Sequence, residues 1–275
     1  MSRFLVVPQW QGSPAPRAML LTDGAAAIAG DLPRAATTLL DVPLEAGDAQ
    51  GTAVHRLSSL RRTQELMRDV LTQPGSGAVD EPTIVIGGDC GVSVPAVDAL
   101  PGGLDDVAIV WCDAHPDLHT PSSSPSGAFS GMSLRALLGD PASPLPARSG
   151  IAPERIVLVG ARAIDEPERR FLDDSGIAEL SALEDPAALA QAVADTGASR
   201  VYVHVDVDVI DPAELAGVSH PAPFGLSVAD LVAALRGLRA QLPLAGATIA
   251  GFAPRSPLAA VDDMGAILRL IGALA

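Results

Sequence analysis

The chain has 275 residues, of which 48% are hydrophobic, and a formal net charge of −15 at pH 7. Its length and apolar content allow one large core, so we expect a single domain over residues 1–275. The acidic balance argues against nucleic-acid binding, because binding to phosphates requires a basic surface. The apolar run at residues 1–8 is too short for a signal segment, and no later run approaches a membrane span, so we expect a cytoplasmic protein without a membrane partner.

Short β-branched runs alternate with longer helical patterns along the chain. Predicted strands cover residues 4–7, 83–86, 107–111, 155–159, 201–209 and 247–252, and helical patterns cover residues 55–71, 227–240 and 262–274. Residues 120–130 and 140–150 lack periodicity and are predicted loops. Strands separated by helices of this length pair in parallel through right-handed crossovers. The pattern therefore predicts an α/β fold with three layers, α/β/α, around a mostly parallel central sheet.

Two segments place acidic side chains and histidines at the ends of predicted strands. The first follows residues 107–111, and the second lies within residues 201–209, where valines alternate with polar residues. In extended chain, alternate side chains share one face of a strand. Because parallel strands end at one edge of a sheet, we expect both sets to border one ligand crevice. The side chains are Asp113, His115 and Asp117 in the first segment and His204, Asp206 and Asp208 in the second.

Carboxylates gathered in a buried crevice repel one another and lose hydration, which is unfavourable without a cation. A pair of divalent metal ions removes this cost. Oxygen-rich ligands with one imidazole suit Mn²⁺, and two such ions can hold a hydroxide between them. The alternative is that Asp113 and Asp117 cap a loop, while the acidic run at residues 206–211 is a solvated edge.

Three sequence blocks together resemble the arginase/agmatinase (ureohydrolase) superfamily. The blocks are Gly87-Gly88-Asp89-Cys90, Asp113-Ala114-His115-Pro116-Asp117 and Asp206-Val207-Asp208-Val209-Ile210-Asp211-Pro212. Their order and spacing match the family over roughly residues 80–257. The resemblance implies an arginase-like fold and hydrolysis of a guanidino or amidino C–N bond in a small amino-acid-like substrate. It also implies a homo-oligomer, commonly a trimer or hexamer.

The resemblance further implies a metal-ligand set. Two Mn²⁺ ions would be held by Cys90, Asp113, His115, Asp117, Asp206 and Asp208. By the same likeness, Asp117 would orient the hydroxide that the ions share and would handle its proton.

Substrate-binding residues are carried over in the same way. Ser126, together with His119 and Ser124, falls where amino-acid-specific relatives hold the substrate carboxylate. Asp165 and Glu168 fall where those relatives meet the substrate ammonium, and an acidic pair also suits an arginine-like ligand electrostatically. The alternative for this pair is an ordinary helix start, where acidic residues are favourable.

Cys90 departs from the family pattern, because most relatives carry a histidine ligand at its position. A thiolate could coordinate the metal, since neighbouring cations depress thiol pKa values. Sulfur would soften the site and shift its metal preference toward Zn²⁺ or Fe²⁺. The alternatives are a buried thiol acting as a small hydrophobe and a nucleophile, for which the sequence shows no signature. Cys112 lies inside an apolar strand and is predicted to belong to the core.

Two further positions depart from the pattern. Gly251 stands where the family places a glutamate that grips the guanidinium, and loss of that ion pair argues against arginine as the substrate. Ser130 replaces a histidine that relatives use as a proton shuttle, and His220 is the candidate substitute. An ordinary loop residue is the alternative for His220. The cysteine also resembles that of Nω-hydroxy-L-arginine amidinohydrolases, whose hydroxyguanidine substrate is less basic.

Three hypotheses remain for the activity. The first is a metal-dependent amidinohydrolase with Asp117, Ser130 and His220 at its catalytic positions. The second is a metal-binding pseudoenzyme or scaffold, which the residues found at Ser130 and Gly251 favour. The third is an amidase or formimino hydrolase on the same fold, because a neutral carbonyl needs no guanidinium clamp.

Overall fold

The central sheet is built from short aliphatic runs that are buried along most of their length. The computed structural model describes residues 2–73, 81–183 and 185–275. Its strands are β1 (Arg3–Val7), β2 (Thr37–Leu39), β3 (Thr83–Gly87), β4 (Val107–Cys112), β5 (Ile156–Val159), β6 (Ala178–Leu180), β7 (Arg200–Asp206) and β8 (Leu244–Ala250). They pair in parallel, in the order β2-β1-β3-β8-β7-β4-β5-β6.

Helices cover both faces of this sheet. They are α1 (Leu20–Asp31), α2 (Leu57–Leu71), α3 (Ser93–Asp98), α4 (Ser133–Leu137), α5 (Glu166–Ser175), α6 (Ala187–Asp195), α7 (Val228–Gln241) and α8 (Pro257–Leu274). α1, α6, α7 and α8 contribute to one apolar cluster, which includes Val203 of β7. α2 to α5 contribute to the other, which includes the neighbouring Tyr202. The predicted three-layer α/β/α fold is confirmed, and none of the described helices has the length and hydropathy of a membrane span.

All six predicted strands are present, although β8 covers Leu244–Ala250 rather than residues 247–252, and two further corrections are needed. β2 and β6 are short edge strands with exposed or half-buried residues, so neither shows the apolar run that marks the inner strands. The predicted strand at residues 201–209 is too long, because β7 ends at Asp206 and a 3₁₀ turn follows at Val207–Val209. The Asp206 carboxylate accepts the N–H of Asp208 at 2.9 Å, and this local bond ends the strand.

Helix starts depend on their caps. The hydroxyl of Ser227 accepts the N–H of Asp230, so α7 begins as predicted. α2 begins at Leu57, later than predicted, because Arg56 has a left-handed φ of 57°. α8 begins at Pro257, earlier than predicted, where Ser256 caps the first turn. Proline suits this first position because its missing N–H is not needed there.

Four adjacent strands end at the same edge of the sheet: β3, β8, β7 and β4. Cys90, Asp113, Asp206 and Gly251 lie at or just beyond these four ends. Parallel pairing therefore brings together residues that are far apart in the sequence.

Candidate metal centre

A cavity of about 490 Å³ lies at this edge of the sheet. Its floor consists of buried acidic side chains from the ends of β3, β4 and β7, and later loops contribute the rim. Of the residues predicted for the site, those that line the cavity are Cys90, Asp113, His115, Asp117, His119, Ser126, Ser130, Asp165, Glu168, Asp206, Asp208 and His220.

The segment after β4 leaves strand geometry at once. The carboxylate of Asp113 accepts the N–H of His115 at 2.7 Å, which bends the chain. Asp117 has a φ of 55°, a left-handed conformation that costs a non-glycine residue about 1–3 kcal/mol. The predicted extended alternation of these three residues is therefore wrong, although the turn still brings their side chains to the cavity.

Hydrogen bonds join the two acidic segments. Asp208 accepts the N–H of Ala114 through Oδ1 at 3.0 Å, and its Oδ2 lies 3.0 Å from Nδ1 of His115. The same imidazole nitrogen lies 3.5 Å from Oδ1 of Asp113. Asp113, His115 and Asp208 thus form a cluster whose potential ligand atoms lie within 4.8 Å of one another, which is close enough to surround one ion.

Cys90 faces carboxylates across the cavity floor. Its Sγ lies 2.9 Å from Oδ2 of Asp206 and 3.9 Å from Oδ2 of Asp113. Burial, with the nearby negative charges, raises the pKa of this thiol, so without a cation it stays protonated and donates to Asp206. A divalent ion reverses that balance, because it stabilises the thiolate. These contacts favour the ligand interpretation over that of a small hydrophobe.

Burial disfavours negative charge on the cavity floor. It raises the pKa of Asp113 to about 7, with a further contribution from Asp208, and it raises the pKa values of Asp117 and Asp206. Burial also opposes ionisation of Asp208, but the hydrogen bond and charge of His115 outweigh it and lower that pKa. Against its own burial, contacts with Asp113 and Asp208 raise the pKa of His115 to about 12.

One imidazolium cannot neutralise this group of carboxylates. Oδ2 of Asp117 is buried and has no hydrogen-bond partner among the described residues. A second cluster, Cys90, Asp113 and His204, lies beside the first, and its potential ligand atoms also fall within 4.8 Å of one another. Because Asp113 belongs to both clusters, the arrangement fits two neighbouring cations.

His204 is a site residue that the family resemblance does not indicate. It lies in β7, is fully buried, and its ring stacks on that of Trp111 with 3.7 Å between ring centroids. Burial lowers its pKa to about 3, so the ring is neutral. The alternation within β7 places it on the same face as Asp206, and this is the sequence signal that indicates it.

A further group lies at the rim, where α5 begins. Nε2 of His119 is 3.1 Å from Oδ2 of Asp165 and 3.6 Å from Oε2 of Glu168. Glu168 is buried and accepts the N–H groups of Leu118 and Asp165, and with Asp165 it forms a capping box. The acidic pair therefore begins a helix and lines the cavity at once.

The serines of the loop at residues 120–130 are placed differently. Ser126 is exposed, and Ser130 is half-buried; both line the cavity. The hydroxyl of Ser124 accepts the N–H of Gly127 at 3.1 Å, and Ser124 is not among the lining residues. Ser124 therefore lies behind Ser126, with 3.4 Å between their hydroxyl oxygens, and stays a predicted site residue.

His220 lines the cavity from the loop after β7 and lies near His115. Its ring centroid is 6.2 Å from that of His115, and its Nδ1 lies 3.0 Å from the hydroxyl of Ser219. Burial, with the charge of His115, lowers the pKa of His220. A neutral imidazole in this position can accept or, once protonated, release a proton.

Arg162, which sequence reasoning did not single out, ties the His220 loop to the floor. Its Nη2 donates to the carbonyls of Asp208 and Ala222 at 2.8 and 2.7 Å, and its Nε donates to that of Pro223 at 3.0 Å. A planar guanidinium with several donors can make these bonds at once, whereas a lysine cannot.

Gly251 leaves space that the neighbouring carboxylate fills. It has a φ of 86°, and a Cβ at this position would lie 2.1 Å from Oδ1 of Asp206. The backbone conformation and the contact both require glycine. The cavity wall here therefore carries no side chain.

The fold and the two clusters define an α/β protein with a metal-binding centre at the carboxyl edge of its sheet. The chain belongs to the arginase family, whose model matches residues 24–263. Members of this family are metal-dependent hydrolases of guanidino and amidino groups. The resemblance to the ureohydrolase superfamily is therefore confirmed, and the class of enzyme predicted from the sequence agrees with it.

Curated relatives match part of the chain. The arginase of Staphylococcus aureus (strain COL) is 35% identical over 154 residues, which cover 52% of this chain and 51% of the relative. The N(omega)-hydroxy-L-arginine amidinohydrolase of Streptomyces lavendulae is 30% identical over 186 residues, covering 67% of this chain and 65% of the relative. The chain thus spans about half the length of the curated arginases that it matches.

Solved structures match over nearly the whole chain. The arginase of Entamoeba histolytica in complex with L-ornithine has a TM-score of 0.86 at 22% identity, covering 100% of this chain and 99% of that one. The arginase of Bacillus subtilis has a TM-score of 0.79 at 23% identity, covering 100% and 98%. At these identities the likeness shows a common fold.

Proposed function

We propose that the chain hydrolyses a guanidino or amidino C–N bond in a small amino-acid-like substrate, with the help of two divalent ions. The observation that carries this proposal is the pair of metal-binding clusters that share Asp113 at the cavity floor. The cavity volume of about 490 Å³ suits a ligand of that size. Membership of the arginase family supports the reaction type.

The donor atoms support one ion at each cluster. Asp113, His115 and Asp208 offer oxygen and nitrogen, which suit Mn²⁺, whereas the sulfur of Cys90 favours Zn²⁺ or Fe²⁺ at the other position. Asp117 and Asp206 complete the proposed ligand set. When bound, the ions would supply Lewis acidity toward the trigonal carbon and would lower the pKa of water.

Asp117 is proposed to orient the attacking water and to accept its proton. The side chain lines the cavity, and its buried Oδ2 has no hydrogen-bond partner among the described residues. An oxygen left without a partner is free to bind the water. The backbone of Asp117 is left-handed, with a φ of 55°, which is uncommon for a residue other than glycine. Strain of this kind is common where a functional group must be positioned.

His220 is proposed to relay to the leaving amine the proton that Asp117 takes from the attacking water. The side chain of Ser130, at the position of the family's proton shuttle, is a hydroxyl with no acid–base role near neutral pH. His220 lines the same cavity, and its lowered pKa makes the neutral ring the resting form. Ser130 is left with a hydrogen-bonding role toward the substrate or the water.

The rim is proposed to hold the amino-acid end of the substrate. Asp165 and Glu168 offer negative charge to an ammonium group, and Ser126 with His119 offers hydrogen bonds to a carboxylate. The bond between His119 and Asp165 places these two kinds of group side by side, as the α-carbon substituents of an amino acid require.

Gly251 favours a hydroxyguanidine over a guanidine as the reacting group. The wall beside Asp206 carries no carboxylate to pair with a guanidinium, and a hydroxyguanidine is less basic. The match to the Streptomyces lavendulae enzyme supports the same choice. We therefore propose Nω-hydroxy-L-arginine as the substrate.

A product-release assay tests this function. Hydroxyurea, urea and ammonia are measured after incubation of the metal-loaded protein with Nω-hydroxy-L-arginine, L-arginine, formimino compounds and acylated amines. We expect hydroxyurea release to exceed urea release from L-arginine, because a guanidinium lacks its partner. Asp117→Asn is expected to lower kcat by about 10²–10⁴-fold. The control Asp41→Asn changes an exposed carboxyl outside the cavity and should not affect kcat.

Other outcomes of the assay would replace the proposal. Turnover of acylated amines or formimino compounds alone would make the protein an amidase or formimino hydrolase. If both metal positions are filled and no compound reacts, the protein is a metal-binding scaffold.

A further inference from the structure

The ring of His204 is held in one orientation by its packing. In the sheet, His204 of β7 is the register partner of Trp111 of β4. The two rings stack with 18° between their planes, and the imidazole is completely buried. Because stacking and burial fix the ring, the direction of each ring nitrogen is defined.

The two ring nitrogens of His204 have unequal surroundings. Nδ1 lies 2.8 Å from the hydroxyl of Ser93, the first residue of α3. Nε2 has no hydrogen-bond partner among the described residues, and it lies 3.9 Å from Oδ2 of Asp113. An N–H···O bond needs about 2.7–3.2 Å, so Nε2 is unpaired in either tautomer. A buried polar atom without a partner is unfavourable, because it has lost its hydrogen bonds to water.

This arrangement is the one expected of a metal-binding histidine. Such a histidine donates its other ring N–H to a neighbouring group, which fixes the tautomer and leaves a lone pair for the ion. In the tautomer in which Nδ1–H donates to Ser93, Nε2 has a free lone pair on the side of the ring near Asp113. Nε2 of His204 and Sγ of Cys90 lie equally far, 3.9 Å, from the same oxygen of Asp113.

The spacing also fits a common ion. Ligands about 2.0–2.3 Å from a tetrahedral ion are roughly 3.3–3.8 Å apart. The two 3.9 Å separations from Asp113 are close to this range, and the ligand atoms of Cys90 and His204 lie within 4.8 Å of each other. Binding of an ion therefore requires an inward movement of the side chains.

We propose that His204 is a metal ligand, and that with Cys90 and Asp113 it forms one of the two ion positions. The imidazole that the family pattern places at the position of Cys90 is then supplied from β7 instead. The inference rests on the proposed function only in taking the cavity floor as the metal centre, and it does not depend on turnover.

The two ion positions then differ in chemistry. Sulfur, nitrogen and oxygen donors at Cys90, His204 and Asp113 select a borderline ion such as Zn²⁺, Fe²⁺ or Co²⁺. Oxygen donors dominate at the position of His115 and Asp208, which suits Mn²⁺. A mixed pair of ions is therefore expected to bind more tightly than two Mn²⁺ ions.

Cobalt binding tests the role of His204. Protein stripped with a chelator is titrated with Co²⁺, and the near-ultraviolet thiolate-to-cobalt band and the number of ions bound are recorded. His204→Asn is expected to weaken the position that contains Cys90 by at least about 100-fold, since ligand loss should exceed the 10–100-fold effect of a supporting residue. Ser93→Ala, which removes the supporting hydroxyl, should fall within that range.

Controls separate a ligand from a packing residue. Cys90→Ala should abolish the thiolate band. Cys112 of β4 is also a buried thiol, but it packs in the apolar cluster on the other face of the sheet, so Cys112→Ala should leave the band unchanged. His204→Asn that binds two Co²⁺ ions with the wild-type spectrum and affinity would overturn the proposal.

A measurement on the unaltered chain covers the case in which His204→Asn does not fold. Proton NMR of the Co²⁺-loaded protein shows strongly shifted ring N–H signals for histidines bound to the ion. Ligation by His115 and His204 gives two such signals, and the buried Nδ1–H of His204 should exchange slowly with solvent. The absence of a slowly exchanging, shifted ring N–H signal would exclude His204. A protein that shows both signals but no turnover would refute the proposed reaction and leave this inference standing.

Discussion

The single position Gly251 explains why the family's guanidinium clamp cannot simply be restored by substitution. Its φ of 86° lies in the left-handed region, and Asp206 occupies the space in which a Cβ would stand. A glutamate at this position would have to displace a proposed metal ligand before reaching the substrate. The loss of the clamp is thus coupled to the way in which Asp206 packs.

Gly251→Ala tests this coupling. The left-handed conformation costs an alanine about 1–2 kcal/mol, and the contact with Asp206 adds to it. We expect urea unfolding of the metal-free variant to show a loss of about 1–3 kcal/mol, together with weaker metal binding. The matched control is Gly265→Ala in α8, where an added Cβ meets nothing within 4 Å and should stabilise the helix by about 0.5–1 kcal/mol. Equal stability of Gly251→Ala and wild type would contradict the prediction.

At the scale of elements, the apolar runs of the sequence predicted the inner strands, but they did not predict where and how these strands end. The strand at residues 201–209 shows unbroken alternation, yet the bond from the Asp206 carboxylate to the next turn stops β7 early. A similar bond from Asp113 bends the chain after β4. Periodicity describes repeating backbone and does not report side-chain bonds to the backbone, so the convergence of the acidic segments was predictable and their turns were not.

Arg162 joins three segments that end or follow strands. Substitution of Arg162 tests how much these connections stabilise the fold. It donates to carbonyls at the end of β5, in the turn after β7 and in the His220 loop. Arg162→Ala should lower the free energy of unfolding by about 2–4 kcal/mol, because several buried carbonyls lose a charged donor.

The comparison variants for Arg162 isolate its geometry. Arg162→Lys keeps the charge but should recover less than half of the loss, because an ammonium lacks the planar fork. Arg169→Ala breaks a surface pair with Glu179 and should cost less than about 1 kcal/mol. If chemical unfolding shows Arg162→Lys to be as stable as wild type, the charge alone matters and the geometric argument fails.

At the scale of the whole molecule, the sequence predicted the layer order and the meeting of distant acidic segments, because both follow from parallel strand pairing. It did not predict that the Ser124 hydroxyl would bond to the backbone of its own loop. It also did not reveal the contacts of Arg162, whose partners are backbone carbonyls with no sequence signature. The single domain, the homo-oligomer and the cytoplasmic location stay predictions.

The buried charges should also make the stability of the whole metal-free protein depend on pH. The pKa of Asp113 rises from 3.8 to about 7 on folding, so the folded chain holds this proton while the unfolded chain releases it. The stabilising contribution of Asp113 is present below pH 4 and is lost as the pH rises to about 7. At pH 7 the free energy of unfolding of metal-free Asp113→Asn should therefore be about 1–4 kcal/mol higher than that of wild type. This difference should become smaller toward pH 4.

Unfolding by urea at several pH values, with a chelator present, measures this difference. Asp41→Asn serves as the control, since this exposed carboxyl lies outside the cavity, and its curve should run parallel to that of wild type. With added metal ions, wild type should be more stable than Asp113→Asn at pH 7, because the variant has lost a ligand. If the difference in free energy of unfolding between Asp113→Asn and wild type is the same at every pH, Asp113 does not cause the pH dependence of stability.

The stacking of Trp111 on His204 also gives the protein a natural optical reporter. The chain has two tryptophans, and the other, Trp10, lies beneath the guanidinium of Arg56, in a different environment. A paramagnetic ion taken up beside the imidazole would quench the emission of Trp111 more strongly than that of Trp10. The filling of the metal centre could then be followed in real time by fluorescence, without a label and without a substrate.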